Sequence, residues 1–450
     1  MAPTRTDRIN RLLRNIFFAI AGLLALYAVS FMVFLHAGGQ PLWRAKMIWL
    51  TMGGAVFFVV AGLRFSPAAK FKIFAVLLCL FLLELLLQAT AWLGVLPGVE
   101  TKLKAPYARV YWTAEGRGNG VRNRFGWYFP PFDLKAPHKV AVIGDSQVEA
   151  VEVARTQNQA ADLQRLLKER SPDWAVLGLG SHGTCPAYSI EVLDYAWRHF
   201  QPEEAIVVVS MGSDVTEASP VLNNIPPDRF LYYELDPSGH LVFNAASAGV
   251  RQRFDQSLEF CHRSLWATLP VLINSHCMSL QLADSLRDRW YMRHRMAELV
   301  ANGNLENGFN PAAFAVNPSS DAQRALRILI AQLQQCKNLC DRHGMKFRVV
   351  TIPSFQKAFY DSQHGRDWTT RIGDYDYFKP EWEIIGWARA NGVPIVSMGE
   401  VIRQKRLDVD EIRSLYFSNG MGHLTPKGHA LCAQAIFDGF YSSDNSEKAK

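Results

Sequence analysis

Three long apolar stretches open the chain, at residues 16–35, 48–63 and 73–96. The first holds no charged residue and, at about twenty residues, can span a bilayer. A cleaved signal peptide explains it poorly, because two further stretches follow. Beyond residue 97 the pattern changes. Short apolar runs fall at 140–143, 174–177, 205–209, 347–352 and 393–396, with helical patterns at 156–170, 187–200, 320–342, 380–391 and 427–440. Alternating strands and helices predict an α/β fold with a doubly wound parallel sheet, preceded by three transmembrane helices. The expected division is a membrane region 1–97, a lead-in segment 98–136, an α/β domain 137–441 with an insertion at 215–318, and a disordered tail 442–450. The insertion is rich in aromatics and prolines (Pro220, Pro226, Pro227) and follows the third strand, where it can shape a substrate groove.

Charge sets the expected orientation. Arg5, Arg8, Arg11 and Arg14 precede the first stretch, and Arg64, Lys70 and Lys72 lie between the second and third; only Arg44 and Lys46 lie between the first and second. The positive-inside rule puts the N-terminus in the cytoplasm of an inner-membrane protein and, after three crossings, the large C-terminal part in the periplasm or outside the cell. Glu84, inside the third stretch, is costly there unless it faces a polar partner; it reads as a packing or partner contact ahead of a transport role. The net charge of +7 is modest for 450 residues, and without a basic block interleaved with aromatics it speaks against nucleic acid. Seven cysteines show no Cys-x-x-Cys pair, so zinc is not implied. Cys336 and Cys340 share one helix face and need not be bonded.

The candidate chemistry begins at Lys139-Val-Ala-Val-Ile-Gly-Asp-Ser146, a buried strand ending in a polar turn. Gly178-Leu-Gly180-Ser-His-Gly183 follows the second strand, Ser210-Met-Gly212-Ser213-Asp214 the third, and Gly422-His423-Leu-Thr-Pro-Lys-Gly428-His429 precedes the last helix. This ordered series resembles the SGNH (GDSL-type) hydrolases, especially bacterial membrane-anchored members, some of which handle acyl groups on glycans. The resemblance covers roughly residues 120–440 and implies a three-layer, flavodoxin-like sheet. It implies Ser146 as nucleophile and His423 as base, with no metal or organic cofactor. The oxyanion donors it implies are the backbone N–H groups of Ser146 and Gly183, with Ser213 where the family usually has asparagine. The usual aspartate two or three residues before the histidine is replaced by Met421 and Gly420. Asn419, Asp408 and Asp410 are the nearby groups left to orient His423.

Plainer readings stand beside these. Asp145 anchors its turn, His182 is a loop residue, His429 caps or packs, and Cys185 is buried. The Gly178-x-Gly180-x-x-Gly183 spacing also fits a dinucleotide fingerprint, but it follows the second strand rather than the first. The expected function is a membrane-anchored serine esterase or O-acyltransferase acting outside the cytoplasm on acylated carbohydrates or similar esters. The alternative is a catalytically degenerate domain serving as a glycan-binding or assembly subunit with other membrane proteins.

Overall fold

The computed structural model describes residues 4–38, 45–96, 105–113, 115–262, 265–287, 290, 311–353, 371–372, 375–376, 378–417 and 422–442. Three helices come first: α1 (Arg5–Gly38), α2 (Ala45–Arg64) and α3 (Pro67–Leu93). The expectation of three transmembrane helices is corrected to two candidate spans. Two helices, Arg5–Val33 and Pro67–Leu93, are long and apolar enough to cross a membrane, while the apolar part of α2, Ile48–Arg64, is shorter. Basic residues on both sides of it, Arg44 and Lys46 before and Arg64 after, limit its length. α2 nevertheless runs back along α1: Ile48 packs near Phe31, and Gly62 lies against Phe17 and Phe18. At the start of α3, Lys70 Nζ donates to Asn10 Oδ1 of α1 at 2.9 Å.

A short antiparallel hairpin, β1 (Arg109–Trp112) and β2 (Gly118–Val121), leads into the α/β part. Strand β3 (His138–Gly144) is followed by α4 (Ser146–Glu149), α5 (Gln159–Arg170), β4 (Trp174–Gly180), α6 (Pro186–Phe200) and β5 (Glu204–Ser210). A small hairpin, β6 (Tyr233–Leu235) and β7 (Leu241–Phe243), lies in the expected insertion. Then come β8 (Lys346–Ile352), the two-residue strands β9 (Arg371–Ile372) and β10 (Tyr375–Asp376), and β11 (Ile395–Ser397). The central sheet is parallel with five strands in the order β11-β8-β5-β3-β4. Numbered by first appearance, that order is 2-1-3-4-5, the flavodoxin-like arrangement. Four of the five expected apolar runs fall on its strands, and the fifth, 393–396, overlaps β11 at residues 395 and 396. β3, β4 and β5 read as continuous apolar segments because helices cover both faces; α5 packs with the helix Pro426–Phe440, and α6 with the helix Ser320–Arg342.

The lead-in is more than a connector. Trp127, Phe129 and Phe132 join the main core beside the sheet residues. All seven cysteines are unpaired, Cys336 and Cys340 included. The tail from residue 443 lies outside the described residues.

In an open sheet of this order, the crevice opens at the carboxyl ends of the strands, where the first and third strands diverge. Here these are β3 and β5, and their ends carry Ser146 and Ser213. Close packing holds the first of these turns down on its neighbour. A Cβ on Gly180 would sit 1.9 Å from the Glu149 nitrogen, so only glycine lets α4 cross the end of β4.

Candidate active site

Asp145 caps α4, accepting the Gln147 N–H at 2.9 Å, the anchoring role read from the sequence. Ser146 is the first residue of that helix, so its N–H has no intrahelical acceptor. His423 arrives from the other end of the domain. It lies just before the helix Pro426–Phe440, which Thr425 caps and Pro426 opens, a favoured start for a helix. Gln147 clamps the two segments together. Its side-chain amide donates to the Gly422 carbonyl at 3.1 Å and accepts from the Leu424 N–H at 3.2 Å. The result brings His423 Nε2 to 2.8 Å from Ser146 Oγ.

The far ring nitrogen faces two carboxylates. His423 Nδ1 lies 2.5 Å from Glu115 Oε2 and 3.1 Å from Glu152 Oε1. The other oxygen of Glu115 accepts the backbone N–H groups of Gly422 and His423 at 3.2 and 3.1 Å. One carboxylate therefore fixes both the loop and the ring. Glu115 comes from the turn of the β1–β2 hairpin, which is seated on residues 151–153. The Arg117 N–H donates to the Glu152 carbonyl at 2.8 Å, and a Cβ on Gly118 would lie 1.7 Å from the Val151 carbonyl oxygen.

This corrects the expected orienter. Asp408 is the N-cap of the helix Val409–Arg413, in a capping box with Glu411. Asp410 is exposed and pairs with Arg413. Both are committed to that surface helix, and Asn419 lies outside the described residues. The carboxylate missing before His423 is supplied from the opposite side of the sequence.

Gly183 sits in the loop after β4 at φ +68°, and a Cβ there would meet open space. Its N–H donates to no protein acceptor among the described residues. The loop is tied to the nucleophile turn twice. The Ser181 N–H donates to the Gly144 carbonyl at 3.0 Å, and the His182 N–H to Glu149 Oε2 at 2.6 Å. Glu149 also forms an ion pair with Arg122 at 2.7 Å, both side chains 1% exposed. Breaking a buried pair strands one charge. Arg122→Ala is therefore expected to cost about 3–5 kcal/mol of stability, read by denaturation of the full chain; a change below about 1 kcal/mol, the size of an exposed pair, would show that the pair bears little of the loop's order.

Ser213 is placed at the end of β5 but is not brought into the hydrogen-bonded set. Its N–H donates to the Ser210 carbonyl at 3.2 Å, and its hydroxyl makes no capping bond. His182 lies between the rings of Trp112 and His423, more than the plain loop residue expected. His429 is fully buried against Gln159, and burial pushes it down to about 3, so it stays neutral and packs.

Charge around the ring is unusual. Burial alone lowers the His423 pKa, but the Glu115 hydrogen bond and the charges of Glu152, Glu115 and Asp145 outweigh it and push His423 up to about 9. Burial pushes Glu152 up to about 7, against the pull of the His423 charge. A histidine must be neutral to accept a proton. The expected kcat/KM therefore rises with pH through about pH 9. Glu152→Gln removes a negative charge that favours the imidazolium, so it should move the midpoint to lower pH. A pH–rate profile of the two proteins checks this; an unmoved midpoint would mean that Glu152 does not act on the ring.

Glu152, His182 and His423 also present ligand atoms within 4.8 Å of one another, as do His199, Glu259 and His262. In the first group His423 is already engaged by Ser146 and Glu115. A cation there would compete for its nitrogens.

Sequence reasoning missed Glu115, Glu152, Gln147 and the Arg122–Glu149 pair. The only local sign was an acid in the glycine-flanked turn around Glu115, among residues notable for arginine and aromatic content.

No family model and no curated protein matches the sequence. Among solved structures, the crystal structure of TesA is similar over 68% of this chain and 98% of its own, at 10% identity and a TM-score of 0.34. A structure of a protein assigned to the lipolytic G-D-S-L family from Desulfitobacterium hafniense DCB-2 is similar over 67% of this chain and 99% of its own, at 10% identity and a TM-score of 0.33.

Proposed function

We propose that this chain is a membrane-anchored serine esterase or O-acyltransferase of SGNH type, acting outside the cytoplasm on acylated glycans or similar esters. The observation that carries the reading is the relay Ser146 Oγ, His423 Nε2, His423 Nδ1, Glu115 Oε2, with links of 2.8 and 2.5 Å. A hydroxyl, a base and an orienting carboxylate in line are the parts of an activated nucleophile.

In the mechanism, Ser146 Oγ attacks the acyl carbonyl while His423 Nε2 takes its proton. Glu115 holds the Nδ1–H tautomer and stabilises the imidazolium that forms. The N–H groups of Ser146 and Gly183 receive the oxyanion. His423 then returns the proton to the leaving oxygen, and the acyl group stays on Ser146. Water or a sugar hydroxyl loses its proton to His423 and takes the acyl group, restoring Ser146.

The anchor reading rests on α1 and α3, with α2 returning the chain between them; its shorter apolar part, Ile48–Arg64, covers about 26 Å at 1.5 Å per residue. The loop charges favour an α/β part outside the cytoplasm. Protease added to intact spheroplasts should digest it; digestion only in inverted vesicles would reverse the orientation.

A fluorophosphonate probe tests the activity, with labelling expected on wild type and absent from Ser146→Ala. No labelling of wild type would favour the glycan-binding or assembly subunit. Ser213→Asn tests the third oxyanion position. It should keep turnover or raise it, because a longer amide can reach the developing charge. A large loss would mean that the serine itself is used.

A further inference from the structure

The expected insertion contains a run that neither the α/β fold nor the relay uses. Residues 265–283 hold nineteen positions without one Asp, Glu, Lys or Arg. They form the helix Leu265–His276 and the start of a second helix at 278–287, broken at Cys277. We propose that this broken pair is a membrane-interface element, lying against outer-leaflet acyl chains beside α1 and α3. The proposal rests on the membrane-anchor reading above.

Three observations carry it. The first is placement. Ser30 Oγ of α1 donates to the Trp266 carbonyl, Val271 packs with Tyr27 and Phe31 of α1, and Met278 and Leu282 pack with Leu87 and Ala91 of α3. The pair thus sits against apolar stretches of both helices. The second is the break. A helix start leaves backbone N–H groups without intrahelical acceptors. Water would satisfy them, but hydrocarbon cannot. Here Glu84 of α3 does so, accepting the Met278 N–H at 2.7 Å and the Ser279 N–H at 2.9 Å. At the end of the first helix, Gln88 donates to the His276 carbonyl. The intramembrane acid thus has a use, as the cap that lets a broken helix sit at apolar depth. The third is the outer face. Trp266, Ile273 and Leu280 are 42–49% exposed, and α3 carries exposed leucines of its own such as Leu82 and Leu86. An uncharged run packed against two long apolar helices fits acyl chains, and a tryptophan suits the interface.

The test uses the full chain in phospholipid nanodiscs, with p-benzoylphenylalanine placed singly at Ile273, Leu280, Leu82 or the exposed Arg165. After irradiation, mass spectrometry reads the adducts. Phospholipid adducts are expected at Ile273, Leu280 and Leu82 and not at Arg165. Glu84→Ala should abolish the adduct at Leu280 while leaving that at Leu82. Adducts at Leu82 without any at Ile273 and Leu280 would overturn the proposal and leave the anchor standing. Crosslinks from Ile273 to a second copy of the chain would also overturn it. Absence of adducts at Leu82 as well would remove the membrane reading together with it.

Discussion

Glu115→Gln is expected to lower turnover about 10⁴-fold with little change in substrate binding, the size of loss seen when a triad carboxylate becomes an amide. The geometry says why. Glu115 Oε1 accepts two backbone N–H groups, those of Gly422 and His423. An amide oxygen can replace only that one. Its NH2 group must then face His423 Nδ1, where Oε2 now sits. A donor there requires Nδ1 to accept, so the ring proton moves to Nε2, the atom 2.8 Å from Ser146 Oγ. The base is then blocked by its own proton. Two measurements check this: kcat on a simple acetyl ester, and the nitrogen NMR shifts of the imidazole, which report the tautomer. An unchanged melting temperature would separate the effect from unfolding. Full turnover in Glu115→Gln would mean that Glu152, 3.1 Å from the same nitrogen, orients the ring, and the double variant would then show the loss.

Ser146→Ala should cost about 10⁶-fold in kcat, and His423→Ala about as much, with the double variant no worse than either. Their losses do not add because each is useless without the other: the serine is a weak nucleophile until its proton leaves, and the histidine has no proton to take if the serine is gone. What remains should be the share supplied by the N–H groups at Ser146 and Gly183 and by substrate binding, about 10³–10⁴ over water. Turnover and probe labelling of the single and double variants test this. Ester hydrolysis surviving at full rate in Ser146→Ala would move the chemistry to another residue. Losses that multiply would mean that the two side chains act separately.

Much of the fold follows from local rules. The strands at 140–143, 174–177 and 205–209 are apolar on both sides because helices cover both faces of the sheet, and the turns that end them carry the polar residues. Ser146, Gly183 and His423 were legible through the resemblance of their sequence blocks to the SGNH hydrolases, and the structure shows what shapes those blocks. Each sits in a short segment whose conformation its own neighbours dictate: Asp145 caps α4, Gly183 takes a positive φ, and Thr425 with Pro426 opens the last helix. Glu115 was not legible. It is 308 positions from His423, ahead of the first sheet strand rather than just before the histidine, and nothing in its own turn marks it as an acid for a ring. Two aspartates nearer in sequence, Asp408 and Asp410, looked better placed and are spent on a surface helix. The uncharged run at 265–283 was overlooked too, since its meaning appears only beside α1 and α3 and under Glu84. The sequence by itself determined the order of strands and helices, because backbone propensity and burial pattern act over a few residues, and it marked Ser146 and His423 only through the resemblance of their blocks to the SGNH hydrolases. The tertiary structure alone decided which carboxylate faces the histidine, because that contact exists only once the hairpin has docked and carries no trace in sequence spacing.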